Sequence, residues 1–247
     1  MIIQLKKYDV LASTNETASI AAKQGAAEGT VIVAARQEGG HGRMQRVWNS
    51  PEGGLWFTII LRPDIEPQYV AQVTLLSGVA VAKGIRRAYG DDNIFIKWPN
   101  DLLWKNRKVS GILSEMELDE NGEVAYAIVG IGVNVGFDSA LFPEDVHETA
   151  AVLNEVFEKK LSCDYVLKCI LQEFIPLYSE WQRFGSANVL KQWRDLNCTL
   201  GKIVNVKDND EIIFRGVAQS VDDQGSLVVE ADNGERRSYD FGEISIR

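Results

Sequence analysis

The chain has 247 residues, 45% hydrophobic and 25% charged, enough for one substantial globular domain with a small satellite and unlike a disordered chain. A formal net charge of −9 argues against a nucleic-acid-binding surface, which needs clustered cations to displace counterions from phosphates. No apolar run approaches the length of a membrane span, and residues 1–7 are too short and too polar a segment for a signal peptide. Cys163, Cys169 and Cys198 lack C-x-x-C spacing, so the expectation is a cytoplasmic chain with reduced thiols and no membrane partner.

In chain order, Ser13-x-x-Glu16 has capping-box spacing, and Ala18, Ile20, Ala21 and Ala22 then predict a helix that stops near Gly25. A β-branched run over 30–35 and an apolar run over 55–61 read as strands, joined by a loop that contains Gly40-His41-Gly42-Arg43-Met44-Gln45-Arg46-Val47-Trp48. Helical spacing covers 70–89 and ends at Gly90, followed by a strand over 94–98 interrupted by Pro99. Two hairpins follow, one turning near Lys105-Asn106 and the other at Asp119-Glu120-Asn121-Gly122, where Asn-Gly is a strong tight-turn signal. The apolar run 124–135 predicts a central strand with Gly130 and Gly132 as points of close approach. Helical patterns then occupy about 149–159, 164–183 and 187–196, supplying a layer for one sheet face. From about 196 the texture changes to short strands over 202–206, 211–221, 226–230, 236–241 and 244–246, split by Asp- and Gly-containing turns.

Two local features stand out against the acidic background. The loop with Arg36, Arg43 and Arg46, and the stretch with Lys97, Lys105, Arg107 and Lys108, are basic, which points to a small anionic ligand rather than a long polyanion. Glycines in the first loop let the backbone approach such a ligand, and arginines add donors suited to carboxylate or phosphate. Lys105 and Arg107, beside Asn106, read better as exposed hairpin charges.

Lys97-Trp98-Pro99-Asn100-Asp101, then Arg107-Lys108-Val109-Ser110-Gly111-Ile112-Leu113, Gly130-Ile131-Gly132-Val133-Asn134 and the earlier Ser13-Thr14-Asn15 together resemble the ordered motifs of biotin protein ligases, from about residue 8 to the C-terminus. The resemblance implies an α+β fold: a mixed β-sheet flanked by helices, like the catalytic domain of class II aminoacyl-tRNA synthetases, over 1–195, with a small SH3-like β-barrel over 196–247. Its implied activity is formation of biotinyl-5′-adenylate from biotin and ATP, the nucleotide carrying Mg²⁺, then transfer to a lysine of a biotin carboxyl carrier protein. Some members carry an N-terminal DNA-binding domain, for which Ser13 leaves no space here, so the ligase-only kind is expected.

By that resemblance Ser13, Thr14, Asn15 and Gln37 face the ureido end of biotin, and His41, Gly42, Arg43, Lys108 and Gly111 lie along its chain and carboxylate. Arg46, Trp48, Asn100 and Asn134 fall on the ATP side. Arg43, Lys97 and Lys108 are the expected catalytic cations, because bringing two anions together requires fixed positive charge. Core packing is the reading for Trp98 and a surface position for His147, while Asp101 holds Lys97 or Lys108, or supports Mg²⁺ through water. No dedicated metal site is expected. Two positions depart from the family's loop pattern: His41 replaces an arginine and Gln45 a glycine. The rival readings are a lipoate or octanoate ligase and a non-catalytic biotin sensor. Exposed strand edges are compatible with a homodimer.

Overall fold

The computed structural model describes residues 1–208, 211–240 and 243–246. Its first strand has no counterpart in the sequence reading: β1 (Gln4–Leu11) runs parallel to β2 (Thr30–Gln37), the two joined by α1 (Thr14–Lys23) in a βαβ unit. Seven of the eight β1 residues are exposed, so the strand lacks the apolar alternation that would announce it. By contrast, α1 starts where its cap predicts, with the Ser13 hydroxyl accepting from Glu16 N at 3.5 Å.

β3 (Leu55–Leu61) is buried along its whole length and pairs antiparallel with β2. α2 (Val70–Tyr89) ends at Gly90, whose φ of 68° closes the helix in the left-handed conformation. The strands β4 (Ile94–Lys97), β5 (Asp101–Trp104), β6 (Arg107–Leu118) and β7 (Val124–Val133) complete a seven-stranded mixed sheet in the order β1-β2-β3-β7-β6-β5-β4. Both expected hairpins form, and β7 is the central strand.

The helix expected over 149–159 shrinks to α3 (Leu153–Val156). Tertiary pairing overrides the local pattern: Lys108 N donates to Thr149 O at 2.7 Å and Ala151 N to Lys108 O at 2.9 Å, so this stretch lies beside Lys108 in extended form. Leu153 N and Asn154 N then donate to the carbonyls of Asn134 and Val135, anchoring the segment to the end of β7. α4 (Cys163–Phe184) and α5 (Ala187–Leu196) follow as read.

α2, α4 and α5 cover one sheet face. The built Cβ of Gly84 would lie 2.6 Å from Ile170 Cα, so α2 and α4 meet backbone to backbone there. On the opposite face Ala18 and Ala22 of α1 pack on Ile32, Ile60, Tyr126 and Ile128. The Arg62 guanidinium closes the far end of α1, donating to the carbonyls of Ala22 (2.9 Å), Ala26 (3.0 Å) and Ala125 (3.0 Å).

The C-terminal strands β8 (Ile203–Asp208), β9 (Glu211–Val221), β10 (Leu227–Glu230), β11 (Arg236–Tyr239) and β12 (Glu243–Ile246) form a five-stranded antiparallel sheet ordered β11-β10-β9-β8-β12. Phe241, the expected end of one strand, lies outside the described residues. The small sheet does not float free. Val204, Val206, Leu227 and Ile244 share a continuous apolar core with the large domain, and Trp98 is pinned by Thr199 Oγ1 and Gly225 O (2.9 and 3.1 Å). Gln72 extends the same seam, accepting from Trp181 Nε1 at 2.8 Å and donating to Asp223 O. Among the described residues no helix is long and apolar enough to cross a membrane.

Candidate active site

A cavity of about 790 Å³ opens between the faces of β6 and β7, the start of α1 and the loop after β2, and every residue singled out above as a site candidate lines it. Its floor is a strip of glycines. A Cβ built on Gly130 would sit 2.1 Å from Asn15 Oδ1, and one on Gly132 would sit 2.6 Å from Trp48 Nε1. Gly111 is nearly as tight, 3.1 Å from the Trp48 ring. These glycines let Asn15 and Trp48 press against the sheet where any side chain would hold them off.

One end of the cavity is neutral and tied together by side chains. Thr14 N and Oγ1 donate to Gln37 Oε1 (2.7 and 3.0 Å), Gln37 Nε2 donates to Ser50 Oγ (2.9 Å), and Ser50 Oγ donates to Trp48 O (3.0 Å). Thr58 Oγ1 donates to Asn15 Oδ1 at 2.6 Å and lies 2.8 Å from Thr14 Oγ1, while Asn15 Nδ2 donates to Glu115 Oε2 at 2.6 Å. Ser13, Thr14 and Asn15 are all buried. Their positions follow from the N-terminus of α1, so capping and cavity lining are performed by the same three residues.

The other end is cationic. Arg43, Arg46, Lys97 and Lys108 share the lining, although the chain as a whole is acidic. Asp101 is the partner of Lys108, Oδ1 to Nζ 2.5 Å, which selects one of the arrangements left open by the sequence. Lys108 Nζ also lies 5.0 Å from the Trp48 ring centroid, a cation–π contact that joins the loop to β6. Asn100 Nδ2 donates to Ile112 O (2.7 Å) and Asn134 Nδ2 to Ala151 O (3.1 Å), so both asparagines brace the backbone around the cavity. Trp98 is 1% exposed, in line with the packing reading, and His147 is exposed. Lys105 and Arg107 stack over Trp104, 4.5 and 5.2 Å from its ring centroid, as hairpin charges.

The loop itself is irregular. His41 bridges Val47 in antiparallel fashion, Gly42 N donates to Arg46 O (2.8 Å), and a single 3₁₀ turn spans Arg43–Gln45. Met44 and Gln45 adopt φ of 55° and 57°, the left-handed region that costs a non-glycine residue on the order of 1 kcal/mol. Gln45 thus holds a glycine-like conformation with a side chain attached. The sequence reading missed the facing wall, from Phe142 and Pro143 to Thr149 and Ala150, and also Ile244 from the small sheet. No motif marks these residues; they arrive because residues 149–154 pair with Lys108 and the end of β7.

The model of the biotin/lipoate A/B protein ligase family matches residues 8–134, and that of the biotin protein ligase C-terminal domain matches 199–247. The chain belongs to the biotin/lipoate A/B protein ligase family. Among its relatives, the bifunctional ligase/repressor BirA of Bacillus subtilis is 38% identical over 233 residues, covering 94% of this chain and 71% of that protein. The biotin–[acetyl-CoA-carboxylase] ligase of Paracoccus denitrificans is 28% identical over 91% of this chain and 95% of its own. The Aquifex aeolicus biotin protein ligase, solved in complex with biotin and ATP, superposes with a TM-score of 0.83 at 27% identity, covering 99% of this chain and 98% of that one. Within the family, the two matched models fall on the two sheets described above, the first on the sheet that carries the cavity.

Proposed function

We propose that this chain joins biotin to ATP as biotinyl-5′-adenylate, releasing pyrophosphate, and then transfers the biotinyl group to a lysine of a biotin carboxyl carrier domain in the cytoplasm. The observation that carries this reading is the polarity of one cavity, neutral and hydrogen-bonding at the Thr14–Gln37 end and cationic at the Lys108 end. Biotin has the same polarity, with a polar ureido group, an apolar body and a carboxylate. Ser13, Thr14, Asn15 and Gln37 take the ureido end; Arg43 and Lys108, with the backbone of His41 and Gly42, take the carboxylate; Arg46, Trp48, Asn100 and Asn134 take the nucleotide.

In the first step a carboxylate oxygen attacks the α-phosphorus and pyrophosphate leaves, so two anions must be held in line. Arg43, Lys97 and Lys108 offset that repulsion from fixed positions, and Asp101 sets the direction of Lys108. No covalent enzyme intermediate is needed. Mg²⁺ enters with the ATP phosphates, and Asp101, paired with Lys108, lies in the same cavity. We place the domain division at 195/196. The exposed outer edge of β1, with Leu5, Tyr8 and Val10, supports pairing of two copies, which sedimentation tests directly.

The deciding assay measures pyrophosphate release with biotin, lipoate and octanoate supplied separately. Release with biotin alone is expected; release with lipoate or octanoate instead would move the chain to the lipoate branch of the family, and binding of biotin without turnover would leave a sensor.

A further inference from the structure

A second cavity, of about 120 Å³, adjoins the first and shares Arg43, Trp98, Pro99, Asn100, Ile112 and Leu113 with it. It runs outward between the start of α2 and the small sheet, past Ala71, Thr74 and Leu75 on one side and Gly225 and Asp240 on the other. The walls are mostly apolar. Of their polar groups, Arg43 and Asn100 are shared with the main cavity, Thr74 Oγ1 donates to Ser114 Oγ at 2.9 Å, and exposed Asp240 accepts from Ser226 Oγ at 2.6 Å.

In the transfer step biotin and the adenylyl group occupy the main cavity, and a side passage gives the attacking amine a path to the carboxyl carbon that does not cross them. That amine sits at the end of a flexible four-carbon stem and travels as an ammonium. A short apolar passage with a carboxylate at its outer end has the chemistry of such a path, since methylenes suit the walls and the carboxylate suits the charge.

We propose that this side cavity admits the acceptor lysine of the carrier domain, with Asp240 as the positioning residue that draws the ammonium to its mouth. The proposal rests on the ligase reading above. The attacking group is the uncharged amine, formed when the ammonium gives a proton to solvent. Its nitrogen bonds to the carboxyl carbon, the bond from that carbon to the phosphate oxygen breaks, and AMP leaves with the electron pair as the nitrogen sheds a second proton. A route for pyrophosphate would call for several cations along its length; Arg43 stands where the side cavity meets the main one, and the charged residue that the side cavity adds is Asp240.

The test separates the two half-reactions. Adenylate formation is followed by biotin-dependent pyrophosphate release with hydroxylamine as a small trapping nucleophile, and transfer by biotinylation of a carrier domain. Thr74→Leu narrows the passage and Asp240→Lys reverses the charge at its mouth; neither residue belongs to the biotin or ATP site. Both variants are expected to keep hydroxylamine-supported turnover within about twofold, which also reports folding, and to lose about tenfold or more in kcat/KM for the carrier, with Asp240→Glu restoring it. Because Asp240 is exposed, its variants stand even if Thr74→Leu fails to fold. Equal losses in both half-reactions, or unchanged transfer, overturn the proposal. Absence of biotin-dependent pyrophosphate release in the wild-type enzyme is a different result, and it removes the ligase reading itself.

Discussion

The two ends of the catalytic cavity are built in opposite ways. At the Thr14–Gln37 end, side chains from α1, β2 and β3 bond to one another through Thr58, Asn15 and Ser50, and Thr14, Asn15, Ser50 and Thr58 are buried. At the Lys108 end, the cations sit on a loop with two left-handed residues and on strands beside an irregular wall. A rigid end suits a small neutral group that must be recognised the same way in every turnover. The irregular end suits a site that admits ATP, closes over an anhydride and reopens for a carrier, which requires segments of low local stability.

The largest effect expected from this contrast is at the cationic end. Lys108→Ala removes a charge-assisted contact worth on the order of 1.5–3 kcal/mol, so pyrophosphate release should fall about tenfold to hundredfold. Since Lys108 and its partner Asp101 remain partly exposed, thermal unfolding should shift by only a few degrees. Normal pyrophosphate release in this variant would remove Lys108 from the chemistry.

Gly130→Ala probes the rigid end and should act mainly on the fold. The new methyl falls 2.1 Å from Asn15 Oδ1, and Asn15 is held by Thr58 and Glu115, so it cannot simply retreat. Overpacking of this kind costs about 1–3 kcal/mol, which calorimetry would read as a drop of several degrees in Tm. Biotin KM should rise with it. An unchanged Tm would mean that the glycine strip is slack and that the two ends differ less than argued.

How far these features could be read in advance follows the same division. Ser13 capping α1, Gly90 ending α2, the Asn121-Gly122 turn and the close approaches at Gly130 and Gly132 are local signals, each tied to one backbone requirement, and the structure carries all of them. β1 was hidden because its residues are exposed along nearly the whole strand and therefore lack period. The wall over 142–150 was hidden for another reason: its position is decided by hydrogen bonds to Lys108, Asn134 and Val135, partners distant in sequence. The Asp101–Lys108 pair lay between these cases, since the residues were named but only the strand register brings them together. Local chemistry is legible in a chain; the choice of distant partners is not.

The smallest effect concerns Gln45, where two opposed terms nearly cancel. Glycine at this position relieves left-handed strain on the order of 1 kcal/mol but returns roughly 0.5–1 kcal/mol of backbone freedom to the open loop. Gln45→Gly should therefore change biotin affinity by less than about fivefold while altering how the loop behaves without ligand. Tryptic cleavage after Arg43 and Arg46 reads that behaviour. Biotin with ATP is expected to protect both sites in the wild-type enzyme, because the bound anions add contacts that tie the loop to the cavity. The variant should be cut faster when empty and protected to the same degree when filled. If ligand leaves wild-type cleavage unchanged, the loop does not order on binding, and the contrast between a fixed end and a mobile end loses its mobile half.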